Sequence, residues 1–362
     1  AVRGELAKRG LAAVIVTSAD PHNSEYVAPC FKRRAKLTGF DGSAGTAVVT
    51  QREALLWTDG RYWIEAERTL DEGWVLMKER RGDPTSVPPE EWLSRALNPT
   101  EAVGADPTTM TARQWKTMME KIRLVPTDGN VVDAAAGIVA VPPATPIEVH
   151  DSGFSGATPK DRIQTVRDEL QKRNCSLAIV TALDEVAWLF NLRGRDVPCS
   201  PVFYSYAVVA KDSTHIFVSE EKVPKGVSEH LAQFDIAVHP YDALERVLVK
   251  FKGARCTFDD FQASQAVASV ACQAELTCVP GPSIVQQLKA IKNAVERKGF
   301  VDCHVRDGIA LTRFLAWIDR EVRAGKCLTE YEASDMLESL RREMAHFVQP
   351  SFETIAGSGP NG

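Results

Sequence analysis

"ELAKRGLAAVIVTSAD" (Glu5–Asp20) and "ELQKRNCSLAIVTALD" (Glu169–Asp184) share one plan. Each reads as the end of an amphipathic helix with a Lys-Arg pair, a short turn, and a β-branched apolar strand closing on Thr and Asp. The correspondence continues outward. "LTGFDG" (Leu37–Gly42) is matched by "LFNLRG" (Leu189–Gly194), and a second strand from Ala47 ("AVVT") by one from Ala207 ("AVVA"). A third strand from Ala54 ("ALLWTDGRYW") is matched by one from Thr214 ("THIFVSEEKV"). The offset, on the order of 160 residues, is far longer than solenoid periods. The chain therefore reads as one α/β domain used twice.

Punctuation residues divide the rest. Thr158 as N-cap, Pro159 at the first helical position and Asp161 in the first turn predict a helix start. Ile163, Val166 and Leu170 then form its buried stripe. "AVPPATPIEVHDSGFSGATP" (Ala140–Pro159) predicts an interdomain linker, and "CVPGPS" (Cys278–Ser283) closes the second copy. Ile284–Val322 carries a long helical pattern, with a break or bend expected near Gly299. Thr329 and Glu332 have capping-box spacing for a second helix, with Met336, Leu340 and Met344 as its apolar stripe. These two helices and a short strand, ~75 residues, enclose little core by themselves. The expected domains are 1–145, 146–282 and an incomplete unit at 283–362. The final "SFETIAGSGPNG" (Ser351–Gly362) ends in turn chemistry of the kind that connects elements.

Composition excludes several classes. A length of 362 residues suits two or three domains. A net charge of −5 argues against a nucleic-acid partner, which calls for a basic face. No apolar run approaches the ~20 residues of a membrane span, and no secretory signal pattern is visible. The eight cysteines include no CxxC pair, which predicts reduced, mostly buried thiols in a cytosolic protein. The seven histidines are dispersed, with no HExxH and no zinc spacing.

Candidate site residues are few. "WTDGRYW" in the first copy stands where the second has "FVSEEKV", so Arg61 and its Asp-Gly turn belong to one copy only. Arg61 on a tight turn can grip a carboxylate or a backbone carbonyl. It can equally pair with Asp59 or lie over Trp57 or Tyr62. "GFDGSAG" (Gly39–Gly45) fails as a nucleophile elbow, because Asp41 stands two positions before Ser43 and a strand follows. His22 with Glu25, and His304 with Asp307, read as hydrogen-bonded or solvated before they read as ligands. Asp259 and Asp260 are adjacent on a turn, so their carboxylates diverge. Residue chemistry alone leaves a duplicated α/β protein with one notable arginine.

Longer strings carry a resemblance. "HNSEYVAPCFKRRAKLTGFDGSAGTAVVT", "LLWTDGRYWIEAE", "VTALDEVAWLFNLRGRDVPCSPVFYSYAVV", "AIKNAVERKGFVDCHVRDGIAL" and "FETIAGSGPNG" resemble, in this order, the cytosolic three-domain Xaa-Pro aminopeptidases (aminopeptidase P). That resemblance implies two creatinase-type N-terminal domains followed by the opening helices of an α+β pita-bread catalytic domain. It implies removal of the N-terminal residue from short peptides with proline second, by metal-activated water, in a cytoplasmic homodimer. Two divalent metals, manganese in most of the family, are implied, with ligands beyond Gly362. Hence neither catalytic residues nor metal ligands are expected within this chain, and residues 1–362 alone are expected to be inactive. The "DGRY" motif places one family residue, Arg61, in contact with bound peptide. Two rivals share the fold: a creatinase-like C–N hydrolase, against which the duplication counts, and a non-catalytic peptide- or protein-binding homologue.

Overall fold

The computed structural model describes residues 1–80 and 82–361; Gly362, the last residue of the expected third unit, lies outside them. The first copy is built on β1 (Ala13–Thr17), β2 (Thr46–Thr50), β3 (Ala54–Thr58), β4 (Trp74–Lys78), β5 (Val103–Ala105) and β6 (Leu124–Pro126). Their order is β4-β3-β2-β1-β5-β6. β2 runs antiparallel to both neighbours, and the other pairings are parallel. Parallel sheets are covered on both faces, which explains continuous apolar strands such as "ALLWT". Val14, Val16 and Leu56 pack on one side, and Ile15, Leu55 and Trp57 on the other.

The remaining strands are β7 (Glu148–Val149), β8 (Leu177–Val180), β9 (Leu192–Arg193), β10 (Ser205–Ala210), β11 (Thr214–Val218), β12 (Ile236–His239), β13 (Arg255–Thr257) and β14 (Thr277–Cys278). The second sheet runs β12-β11-β10-β8-β13-β14, with β10 antiparallel to its neighbours as β2 is in the first. The duplication is therefore three-dimensional. Matching helices also end alike: Gly39 (φ 74°) and Asn191 (φ 53°) both adopt the left-handed conformation that stops a helix.

The two copies meet at the carboxyl ends of their central strands. Beyond β5 and β13, Thr111 and Ser264 form an antiparallel bridge, and each caps the helix that follows it. Ala112 N–H donates to Ala263 O at 2.9 Å, and Gln265 N–H to Met110 O at 2.8 Å. Arg113 and Asp260 add an ion pair at 2.9 Å. In open α/β sheets this strand end is the usual ligand crevice. Here each copy fills the other's.

Several sequence expectations hold. Thr158 and Asp161 form a reciprocal capping box before the helix Pro159–Lys172, whose Ile163, Val166 and Leu170 are buried. Thr329 and Glu332 do the same for Glu330–Arg342. Others need correction. The long helical pattern is not interrupted at Gly299: a separate helix, Ile284–Ala290, precedes an unbroken Ala294–Arg323. The break falls at Ile291–Asn293, because Ile291 is extended and Asn293 forms its own capping box with Glu296. No strand occurs among the described residues after Ser283. Leu337 joins Leu340 as the buried part of the last helix's stripe, with Met336 and Met344 half-buried. The expected linker is partly structured: Ile147 is buried, and β7 pairs with β9. Only Cys175 and Cys256 are buried, while Cys272, Cys303 and Cys327 are exposed on helices or in the turn after Arg323.

The helix Ala294–Arg323 is moored at its start. Asn293 Nδ2 donates to Ser155 O at 2.8 Å, and Glu296 pairs with the buried Arg162 at 3.7 Å. Gly156 makes this approach possible: at φ 65°, a Cβ there would lie 2.6 Å from Asn293 Oδ1.

Candidate functional site

β3 ends at Thr58, and the chain turns over Asp59–Tyr62 before the helix Trp63–Thr69. Asp59 organises this turn. Its Oδ1 accepts from the Arg61 backbone N–H (3.1 Å) and Nε–H (2.9 Å), and its Oδ2 from Nη2–H (2.8 Å). The guanidinium carbon lies 5.1 Å from the Tyr62 ring centroid. Two of the three local partners foreseen for Arg61, Asp59 and Tyr62, are thus engaged. Trp57 is not: it is buried, and its Nε1–H donates to Val87 O. The side-on pair uses Nε and Nη2, and Nη1 has no protein partner among the described residues. Arg61 remains 67% exposed in its side chain. The pair holds the Asp59 carboxyl below its usual pKa and raises that of Arg61.

The glycine-rich loop braces the turn. Thr58 Oγ1–H donates to Ala44 O at 2.7 Å, and Ser43 Oγ meets Tyr62 OH at 2.5 Å. Arg34, buried beneath, donates to Phe40 O, Gly42 O and Ser18 Oγ. A Cβ on Gly42 would lie 2.3 Å from the Phe40 ring and 2.8 Å from Tyr62, so only glycine fits. Ser43 is exposed and faces a phenol rather than a base, in keeping with its rejection as a nucleophile.

Other segments gather here. Tyr26, in the loop after β1, has its pKa raised by desolvation and by the nearby Glu25, Cys199, Tyr62 and Glu353. The Arg61 turn, the second copy and the last segment therefore face a common region. Beside it, a cleft of about 410 Å³ opens between His150, Arg193, Arg195 and Cys199 on one side and Val348 to Ser351 on the other. Burial, with Arg193 and Arg162 nearby, lowers the His150 pKa to about 4, so it is neutral at pH 7.

The remaining candidates have structural duties. His22 is buried in the seam between the copies: Nδ1–H donates to Thr181 O at 2.7 Å, and Nε2 accepts from Tyr241 O–H at 2.6 Å. Asp20 Oδ1 holds the loop through the His22 and Ser24 N–H groups, and Oδ2 accepts from Tyr204 O–H at 2.9 Å. Burial lowers the His22 pKa against the pull of Asp20. Glu25, its sequence companion, is exposed. Asp307 pairs with Arg341 at 2.6 Å, and His304 bonds to Phe300 O. Asp259 and Asp260 diverge, one accepting from Ser283 N–H and the other pairing with Arg113. Sequence reading missed the buried Lys222–Asp196 pair and the buried Glu185, whose partners lie far away in the chain.

Among the described residues no group of three or more His, Cys, Asp or Glu side chains is placed to hold a metal ion. The donor set of a two-metal centre is not met by these residues, and what they offer is binding surface. No helix among them is long and apolar enough to cross a membrane.

Residues 1–136 and 140–296 match two family profiles, each described as the creatinase/prolidase N-terminal domain. The chain is 37% identical over 382 residues to a probable Xaa-Pro aminopeptidase P of Coprinopsis cinerea, covering 100% of this chain and 61% of the relative. It is 37% identical to the Xaa-Pro aminopeptidase ApepP of Drosophila melanogaster, covering 98% and 59%. An X-prolyl aminopeptidase from Caenorhabditis elegans, described as a cytosolic enzyme with a di-nuclear active site, superimposes with a TM-score of 0.88 at 33% identity. That match covers 94% of this chain and 57% of the other. The chain thus spans about three-fifths of the length of the curated relatives it matches.

Proposed function

As the chain belongs to the Xaa-Pro aminopeptidase family, we propose that the whole protein removes the N-terminal residue from short peptides whose second residue is proline. A bond before proline lacks the N–H that ordinary peptidases use to hold extended substrates, so recognition falls on carbonyls and chain ends. In this reading the two creatinase-type domains, near 1–145 and 146–282, wall the approach to a catalytic centre, and residues from 283 begin the catalytic domain. Arg61 is the substrate-binding residue. The observation that carries this is its geometry: Asp59 fixes the guanidinium by one edge and leaves Nη1 exposed to bind a peptide carbonyl or carboxylate.

Two divalent metals, manganese by resemblance, belong to the whole protein. The described residues give them no ligand set, so residues 1–362 alone are expected not to cleave Xaa-Pro peptides. A homodimer in the cytoplasm completes the proposal. The test is release of the N-terminal residue by the full-length protein, supplied with manganese, from an Xaa-Pro-Xaa peptide and its Xaa-Ala-Xaa counterpart. Cleavage confined to the proline peptide supports the reading, and equal cleavage of both, or of neither, refutes it.

A further inference from the structure

The geometry points to Cys278 as a hydroperoxide-reactive thiol that Cys256 resolves into a reversible disulfide. Cys256 in β13 and Cys278 in β14 are direct partners in parallel register. Cys256 S–H donates to Cys278 Sγ across 3.5 Å. Neighbouring strands lie about 4.8 Å apart, within the Cα separations a disulfide spans, so small side-chain rotations close the gap. β14 is the edge strand of its sheet, and Cys278 is half-buried, so a small oxidant reaches it. Cys256 is wholly buried.

The hydrogen bond from Cys256 favours the Cys278 thiolate, whose pKa falls to about 7, and Cys272 on the adjacent helix adds a smaller push the same way. Thiolate is the reacting form. The Cys278 thiolate attacks one oxygen of hydrogen peroxide and the O–O bond breaks. Hydroxide leaves, takes up a proton as water, and sulfur becomes a sulfenic acid. The Cys256 sulfur then attacks that sulfur. The S–S bond forms, the S–O bond breaks, and the hydroxyl departs as water with the Cys256 proton. Two electrons pass from the thiol pair to the peroxide.

The bond would form where the chain leaves the second sheet. Cys278 opens "CVPGPS", and Val279 N–H already donates to Cys256 O at 2.8 Å. Oxidation would staple the root of the segment leading to the last helices. To test this, the full-length protein is given a small molar excess of hydrogen peroxide, free thiols are alkylated, and peptides are mapped by mass. The expected result is a Cys256–Cys278 cross-linked pair, lost on treatment with dithiothreitol, while exposed Cys303 and Cys327 still alkylate. In C256S, Cys278 should instead accumulate as a sulfenic acid trapped by a 1,3-dione. A Cys272–Cys278 link in its place, or oxidation of Cys303 and Cys327 ahead of Cys278, overturns the inference.

Discussion

Replacing Glu185 by glutamine should stabilise the protein at neutral and alkaline pH and do little in acid. Glu185 opens the helix Leu183–Phe190, is 3% exposed, and its Oε2 accepts from Ser283 Oγ–H at 2.6 Å. Burial raises its pKa from 4.5 to about 7; Ser283 and Lys289 pull it down, and Asp184 and Asp259 push it up. Below pH 4.5 the carboxyl is protonated in both folded and unfolded chains, and costs nothing. Between 4.5 and 7 the unfolded chain has released the proton while the folded one keeps it. Stability therefore falls by about 1.4 kcal/mol per pH unit across that window. The accumulated penalty is on the order of 3 kcal/mol at pH 7 and stays constant above it. A glutamine in this place carries no charge and retains an oxygen for the Ser283 hydroxyl. Urea unfolding followed by tryptophan fluorescence should therefore show E185Q more stable by up to about 3 kcal/mol at pH 8 and nearly equal to the parent at pH 4.5. An E185Q protein no more stable than the parent at pH 8 would refute the burial argument.

Three further substitutions probe separate parts of the account. H22A leaves the Thr181 carbonyl without its partner and the Tyr241 hydroxyl with only the longer 3.4 Å contact to Tyr206 OH in the seam between the copies, and should cost about 2–3 kcal/mol in chemical denaturation. A loss under about 0.5 kcal/mol would show that the seam does not depend on this ring. G156A combines a positive φ with a clash against Asn293, and should cost about 1–3 kcal/mol. It should also speed hydrogen exchange at the first amides of Ala294–Arg323, and unchanged exchange there would disprove the mooring role. V166A, in the middle of the second copy's core, should lower stability by about 1–3 kcal/mol and leave unaltered any KM the full-length protein shows on an Xaa-Pro peptide.

The duplicated sheets were legible because each strand is a continuous apolar run bounded by turn residues, and because two runs so alike about 160 positions apart rarely arise otherwise. Helix starts were legible wherever a side-chain cap announced them, as at Thr158 and Thr329. The misplaced break at Gly299 had an available signal: Asn293 and Glu296 are themselves spaced as a capping box, and a glycine inside a long helix costs only about 1 kcal/mol. The seam between the copies was not legible. Asp20 and Tyr204 are 184 positions apart, and His22 and Tyr241 are 219 apart. A loop histidine shows its burial only once the second copy covers it. At the candidate site, sequence singled out Arg61 as the residue present in one copy alone, and named Asp59 and Tyr62 among its local partners. The bracing by Arg34, Gly42 and Ser43 depends on three-dimensional packing of a loop that reads, in sequence, as a simple glycine turn.

The most direct measurement is the steady-state kinetics of the full-length protein and its R61A variant on an Xaa-Pro-Xaa peptide, with circular dichroism to confirm the fold. Losing charge-assisted hydrogen bonds to substrate costs about 1.5–3 kcal/mol, so kcat/KM should fall roughly ten- to a hundred-fold, largely through KM. Folding should be unchanged, because Arg61 is exposed and bonds only to Asp59 among the described residues. A folded R61A protein with unaltered kcat/KM would contradict the account that the first creatinase-type domain helps to bind the peptide.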